Sequence, residues 1–335
     1  MRFIVGLVAV ALVLWCGWWF LAAKGQEAAW AAWIEDRRSV GWVAETEDIG
    51  VRGFPNRLDT TVTDIELADP VSGWAWSAPF FQVLMVAYQP NHIIAVLPQE
   101  QLVSAPQDTV AVTNEGMRGS VVFAANTRLS LDRLRAEIID LNLNGSGWEA
   151  ALDQANLAIN RLDPEDAPEH SYALGFDAAN LTLPVAFKKR LDPAGLLPAA
   201  FETAHVDLVA AFDAPWDRLA IEGPKPQPTA ISVKDINVAW GELKLSARGL
   251  IDVDARGFAS GDLEIEARNW REILNLAVQS GILPADLASS IEGGVNLLTS
   301  FTRDPSTLNL PLTFSRGQTL LGPIPVGPAP RLTIR

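Results

Sequence analysis

Between residues 42 and 335, apolar side chains return at every second position in run after run, and that pattern constrains the fold more than any other feature of the chain. A period of two sends alternate side chains to opposite faces of a strand, one face to a core and the other to water. Leu243, Leu245 and Ala247 alternate with Lys244, Ser246 and Arg248; Leu263, Ile265 and Ala267 alternate with Glu264, Glu266 and Arg268. Leu308, Leu310, Leu312 and Phe314 repeat the pattern around Pro311, a residue that points to an edge strand or a bulge. Earlier runs are Ile139, Leu141 and Leu143; Leu157 and Ile159; and Val206, Leu208, Ala210 and Phe212. Residues 81–88 are apolar on both parities, as in a strand covered on both faces.

Turn signals punctuate these runs: Asp69-Pro70, Gln89-Pro90, Asn114-Glu115-Gly116, Asn144-Gly145, Arg248-Gly249, Arg256-Gly257 and Arg316-Gly317. Spacings of roughly 8–12 residues leave no room for repeated crossover helices, which disfavours a doubly wound parallel sheet. The expected fold is mainly β, in the α+β class. It comprises a large curved antiparallel sheet, as a half-barrel or a sandwich, since both need the same alternation.

Two helical interruptions are expected. Asp192-Pro193 supplies a cap and a first-turn proline for a short helix through Leu196, Leu197 and Ala200. Asn269 followed by Glu272 has the spacing of a capping box, Ile273, Leu274, Ala277 and Val278 form a stripe, and Gly281 stops it. Pro284 then opens a second helix with Leu287, Ile291, Val295 and Leu298 on one face. The pair reads as a C-terminal helical hairpin covering the sheet.

At the other end, residues 3–23 carry no charge. As a helix they reach roughly 31 Å, the thickness of a bilayer's hydrocarbon core, and exceed the apolar region of a cleavable signal peptide. Residues 1–25 are therefore expected to be an uncleaved transmembrane anchor, with Trp15, Trp18 and Trp19 as membrane-interface anchors. Residues 26–41 keep a helical pattern, with Trp30, Trp33 and Ile34 on one face, and read as a stalk ended by Gly41. Residues 42–335 form the β-rich body. Its possible halves divide at the proline-rich segments 163–170 or 223–228, which serve equally well as long hairpin loops.

Lys24, Arg37 and Arg38 follow the span and only Arg2 precedes it, which taken literally puts the body in the cytoplasm. Long domains translocate largely regardless of charge, and the one cysteine, Cys16, leaves the body cysteine-free as suits an oxidising compartment. The expected location is the inner membrane, single-pass, with the C-terminal domain in the periplasm.

Composition narrows the chemistry. Forty acidic against 26 basic residues give a net charge of −14, which disfavours nucleic acid as a partner. His92, His170 and His205 have no metal-ligand spacing, and no P-loop, dinucleotide fingerprint or nucleophile elbow occurs. No catalytic residue, metal or cofactor is expected. The carboxylate pairs Asp252/Asp254 and Glu264/Glu266 read as the wet sides of strands whose apolar partners, Ile251, Val253, Leu263 and Ile265, face inward. The unusual feature is 12 tryptophans against 2 tyrosines. Trp74 and Trp76 share a strand face, so they are the candidate contacts for an apolar ligand, with core packing as the alternative.

Gly41-Trp42, Arg52-Gly53-Phe54-Pro55-Asn56-Arg57, Trp74-Ala75-Trp76 and Tyr88-Gln89-Pro90-Asn91-His92-Ile93 occur in an order that resembles the bacterial envelope family called domain of unknown function 2125. Trp240-Gly241, Gly249, Gly261, Asn269-Trp270, Gly317 and the run Leu321-Gly322-Pro323-Ile324-Pro325 extend the resemblance to the C-terminus. It implies an envelope protein and supplies no catalytic residue. Gly53 and Pro55 read as a bend between strands, and Arg57 as a partner for an acid or a lipid phosphate. More remotely, an anchor followed by alternating strands is similar to the AsmA and TamB group, whose sheets resemble lipid-conducting grooves.

The expected function is that of a noncatalytic, membrane-anchored envelope protein whose sheet holds or shelters an apolar ligand such as a lipid. The alternative is a scaffold binding another envelope protein through an exposed edge or patch. A hydrolase using converging carboxylates stands third.

Overall fold

The structure, a computed structural model, describes residues 1–165, 167–193, 195, 197–279, 281, 288–289, 292–293, 306–322 and 324–334. The chain forms two compact units, Met1–Phe123 with Ala136–Gly147, and Ala124–Arg135 with Trp148–Arg335. Neither proline-rich segment falls at a division between them: both are connections within the second unit.

The first unit opens with one uninterrupted helix, α1 (Arg2–Ser39), which contains both the apolar run and the segment read as a stalk. It ends as Gly41 dictates. With φ of +92° this glycine turns the chain so that its N–H reaches the Arg38 carbonyl (3.0 Å) and that of Trp42 reaches Arg37 (3.0 Å), satisfying carbonyls the helix leaves open. Strands β1 (Val43–Glu45), β2 (Asp48–Arg52), β3 (Asp59–Asp69) and β4 (Trp74–Met85) follow, with β3 paired to the other three. Then come β5 (His92–Leu97), β6 (Glu100–Ala105), β7 (Asp108–Thr113), β8 (Gly116–Phe123) and β9 (Leu131–Gly145), all antiparallel to their partners.

In β3 the inward parity changes midway. Thr60 and Val62 are buried, and then Ile65. Asp64, with φ of +46°, drops out of the pairing together with Pro79 of β4, the residue that has no N–H to offer the ladder. The irregularity keeps Val62, Ile65 and Ala78 in one core.

Among the described residues the second unit contains the Leu131–Arg135 start of β9 and a nine-strand antiparallel meander: β10 (Trp148–Arg161), β11 (Ser171–Thr182), β12 (Ala200–Phe212), β13 (Pro228–Trp240), β14 (Leu243–Val253), β15 (Ala259–Arg268), β16 (Thr307–Ser315), β17 (Gln318–Leu321) and β18 (Ile324–Pro328). The large antiparallel sheet expected from the alternation is present. Ile251, Val253, Ala259 and Phe314 pack its core with Leu263 and Leu312, while Asp252, Glu264 and Glu266 stay exposed. Pro311 lies inside β16, opposite Glu264 of β15, at the point where pairing with β17 has already stopped at Leu312. The strand is therefore an edge only locally.

Several local expectations need correction. Arg248-Gly249 is no turn: both residues lie inside β14. A Cβ on Gly249 would run into the Asp262 carbonyl oxygen, so glycine serves a close approach of β15 here, and Gly261 answers it from the other strand. The turn expected at Asn144-Gly145 comes just later, where Gly147 takes φ of +85°. Arg316-Gly317 does form the tight hairpin, both residues having positive φ. The helix expected after Asp192-Pro193 lies before it, as α2 (Val185–Leu191); Asp192 is its C-cap, buried, paired to Lys188 Nζ (3.1 Å) and accepting from the Leu197 N–H (2.9 Å). Leu196 lies outside the described residues, and Ala200 begins β12.

A short helix α3 (Arg218–Glu222) is capped by Asp217, whose side chain accepts from the Leu219 and Ala220 N–H groups. Helix α4 (Trp270–Gln279) stands where the first hairpin helix was expected, with Trp270, Ile273 and Leu274 on Ala267, Leu308 and Leu321. At its start the Asn269 amide donates to the Glu242 carbonyl (2.8 Å), tying the helix to a neighbouring turn, and the Glu272 N–H reaches the Asn269 backbone carbonyl (3.1 Å). Of the second hairpin helix, Pro284, Leu287, Ile291, Val295 and Leu298 lie outside the described residues.

The strand-to-strand approach at Gly249 makes a testable contrast. Gly249→Ala is expected to cost about 2 kcal/mol or more, because positive φ and a backbone clash combine, whereas Gly147→Ala, with open space around it, costs about 1 kcal/mol. Thermal unfolding of the full chain measures both, and equal shifts would remove the close-approach argument.

Candidate functional site

The site is built from the helix outward. Trp15, Trp19, Ala23, Glu27, Trp30, Ile34 and Arg38 succeed one another at steps of three and four, so they share one face of α1. The Trp15 indole donates to the Pro55 carbonyl (3.0 Å) and that of Trp19 to the Arg57 carbonyl (2.7 Å). Trp19 is only 4% exposed, packed with Ala23, Leu58 and Ala87. Phe54 meets Trp19 edge-on (5.3 Å) and stacks on Phe20 (5.6 Å). Further along, Glu27 accepts from the Val51 N–H (3.3 Å), and Arg38 donates to the Ala44 carbonyl (2.7 Å). Of the three tryptophans read as interface anchors, Trp15 and Trp19 thus contact the connection between β2 and β3, and Trp18 stays exposed.

Between the last third of α1 and the β3–β4 face lies a cleft of about 480 Å³, within the ordinary range of small-molecule sites. Ala29, Trp30 and Trp33 form the helix wall; Ile65, Leu67, Trp76 and Phe81 form the sheet wall; Gln26 stands at the side. The rings meet edge to face: Trp30 on Trp33, Trp30 on Phe81, and Trp76 on Phe81, each pair 6.0 Å apart. Trp76 is held in place by its indole N–H, which donates to Oε1 of buried Gln101 (3.0 Å), while Gln101 Nε2 donates to the Pro98 carbonyl (3.2 Å). Among the described residues, no titratable side chain lines the cleft. Such walls can exclude water and take up an apolar chain; they offer no nucleophile or general base.

Of the two sequence candidates, Trp76 lines this cleft and Trp74 does not. Trp74 is 57% exposed at the far end of β4, beside Val71 in the β3–β4 turn, which is 95% exposed. Trp30 and Trp33 escaped the reading as ligand contacts because they come after the apolar run and look like part of a stalk. The signal that finds them is the helical stripe itself, which continues past Ala23.

The second unit has two smaller apolar cavities beside α4, of about 250 and 170 Å³, that share Leu245, Ile273 and Ala277. Trp240 borders the larger one, stacked on Phe201 at 4.3 Å and donating to the Pro198 carbonyl (3.0 Å).

The polar candidates do not converge. Arg57 pairs with Asp59 (2.8 Å), and Asp254 accepts from the Arg256 and Phe258 N–H groups of its own turn, which with Arg256 hold its carboxyl below the ordinary range. Glu264 receives the Asn309 amide (3.2 Å) on the exposed side of the sheet. His92 contacts Ser120 (2.9 Å), His170 sits in the turn before β11, and His205 pairs with Asp177 at 2.6 Å. Among the described residues, no group of three or more His, Cys, Asp or Glu is placed to hold a metal ion.

The sequence pattern of a family described as an uncharacterized protein conserved in bacteria, domain of unknown function 2125, matches residues 19–330. No curated protein and no solved structure matches the chain, so neither comparison returns a member of the AsmA and TamB group.

One titration is set by this geometry. The Asp177 hydrogen bond favours the imidazolium and raises the His205 pKa above its ordinary value. Because the folded value lies above the unfolded one, the stabilisation is complete below an unfolded pKa of about 6.5 and is lost as pH rises through the raised value. NMR titration is expected to place the His205 midpoint above that of Asp177→Asn, and identical midpoints would remove the interaction.

Proposed function

Because the chain belongs to the uncharacterized bacterial family domain of unknown function 2125, for which no activity is described, we propose a role from the geometry: a noncatalytic, membrane-anchored envelope protein that holds a lipid acyl chain in the cleft between α1 and the β3–β4 face. The observation that carries the reading is the cleft itself, walled by Trp30, Trp33, Trp76 and Phe81 and, among the described residues, lined by no titratable group. Helix α1 is long and apolar enough to cross a membrane, and its apolar run precedes the cleft in the same helix. From Ala23 to Trp30 and Trp33 the rise is about 10–15 Å, so an anchored helix holds the cleft a short distance from the bilayer surface. The absence of cysteine after Cys16 fits periplasmic placement of the body. A scaffold role has one observation in its favour, the exposed Val71 and Trp74 at the distal end of the β3–β4 hairpin.

Native mass spectrometry of the full chain, washed in mild detergent, tests the reading. Wild type and Val71→Glu are expected to retain about one lipid per chain, and Trp33→Glu, which puts a charge into the apolar cleft, is expected to retain at least tenfold less. Equal retention by Trp33→Glu overturns the cleft as the site. A wild type free of lipid removes the ligand reading and leaves the scaffold.

A further inference from the structure

Residues 3–23 match the hydrocarbon thickness at roughly 31 Å, but contact between the helix and the β residues does not wait for their end. It begins at Trp15, about 12 Å before Ala23 along the helix. The stretch ahead of that contact, residues 3–14, reaches only about 18 Å, well short of the about 30 Å needed to cross. A helix that spans the hydrocarbon therefore carries the residues bound to Trp15, Trp19 and Phe20 into the membrane with it. That cargo is the connection between β2 and β3, residues 53–58: Phe54 on Trp19 and Phe20, Pro55 on Trp15, Arg57 and Leu58 on Trp19.

The connection is built for such a place. Immersion demands that backbone polar groups find partners within the protein. The Arg57 N–H donates to the Gly53 carbonyl, the Ala87 N–H to that of Asn56 and the Leu58 N–H to that of Met85, each at 2.8 Å. The Pro55 and Arg57 carbonyls take the two indoles, and Pro55 has no N–H to satisfy. Two aromatic rings stand exposed here, Phe54 at 49% beside exposed Pro55, Asn56 and Arg57, and Tyr88, in the neighbouring β4–β5 connection, at 65%. Arg57, paired to Asp59, adds a long side chain able to reach headgroup phosphates.

We propose that residues 53–58, together with Tyr88, form a second membrane contact, inserted in the bilayer interface beside the anchor. The proposal rests on the anchor reading above and is independent of the cleft's ligand. β3 runs away from this contact for 11 residues, about 36 Å, so the Val71 turn lies in water. The helix after Ala23 is then no spacer that holds the β structure off the membrane; it lies along β structure that already touches it.

The experiment uses full-length protein in vesicles of phosphatidylethanolamine and phosphatidylglycerol. In a Cys16→Ser background, single cysteines replacing Phe54, Tyr88 or Val71 carry a bimane label, quenched in turn by doxyl lipids and by aqueous iodide. Labels at 54 and 88 are expected to be quenched by doxyl lipids and to be at least threefold less accessible to iodide than the label at 71. Tyr88→Cys leaves the Phe54 stack intact, so it reads the depth even if Phe54→Cys disturbs the packing. Equal iodide access at all three positions, in protein that resists alkaline carbonate extraction, overturns the second contact and leaves the anchor. Release of the protein by carbonate overturns both.

Discussion

The seating of Trp19 is the interaction on which the arrangement of the first unit depends. On a helix long and apolar enough to cross a membrane, an interfacial tryptophan would keep its indole N–H for headgroups or water, yet Trp19 is buried and donates to the Arg57 carbonyl. Truncating a buried aromatic of this size costs about 3–5 kcal/mol, enough to govern whether helix and strands hold together. Trp15 and Ala23, one turn to either side, extend the same contact. With the helix fixed at this end by Trp19 and at the other by Arg38 on Ala44, its middle face is committed to β2, β3 and β4. The cleft exists because that commitment is incomplete: Trp30 and Phe81 touch, while Trp33 and Trp76 stand apart across a gap.

The β structure solves a different problem. Long antiparallel strands accumulate twist, and where two backbones come unusually close there is no space between them for a Cβ. Gly249 and Gly261 meet this condition reciprocally, each approaching a carbonyl of the opposite strand more closely than a Cβ would permit. In the neighbouring strand β13, the pairing with β14 shifts between Val233 and Ile236, absorbing an extra residue in the same part of the sheet.

These mechanisms decide how much of the fold was legible in the sequence. Alternation read the strands of the second unit well, because their wet faces carry Asp252, Glu264 and Glu266 and their inner faces Ile251, Val253 and Leu263. Gly41 and Arg316-Gly317 were readable because positive φ at a helix end or a two-residue hairpin has a strong residue preference. Gly249 misled for an equally physical reason: a glycine needed for close approach looks like a glycine needed for a turn. The shift of parity at Asp64 and Pro79 was invisible to a strict period of two. Trp74 and Trp76 share a parity, but parity does not say how far along the strand a cleft extends, and only Trp76 reaches it. The 185–191 helix is hard to place from sequence because Asp192, beside Pro193, reads as the N-cap of a later helix, whereas it is the C-cap of α2.

The candidate site was harder to read than the fold because half of it belongs to a helix whose composition announces something else. An apolar N-terminal run draws attention to the bilayer, and Trp30 and Trp33 pass for decoration on a stalk. The stripe from Trp15 to Arg38 crosses the end of that run without a break, and a face selected only for lipid has no reason to continue in register into the polar half of a helix. Continuity of that kind requires one partner along the whole length. The partner is the β2–β4 surface, so the same face that brings the connection at residues 53–58 to the apolar half of α1 also brings Trp76 and Phe81 to its polar half. In the proposed reading, the height of the cleft above the bilayer is then set by the helical rise between Ala23 and Trp30, with no flexible joint in between.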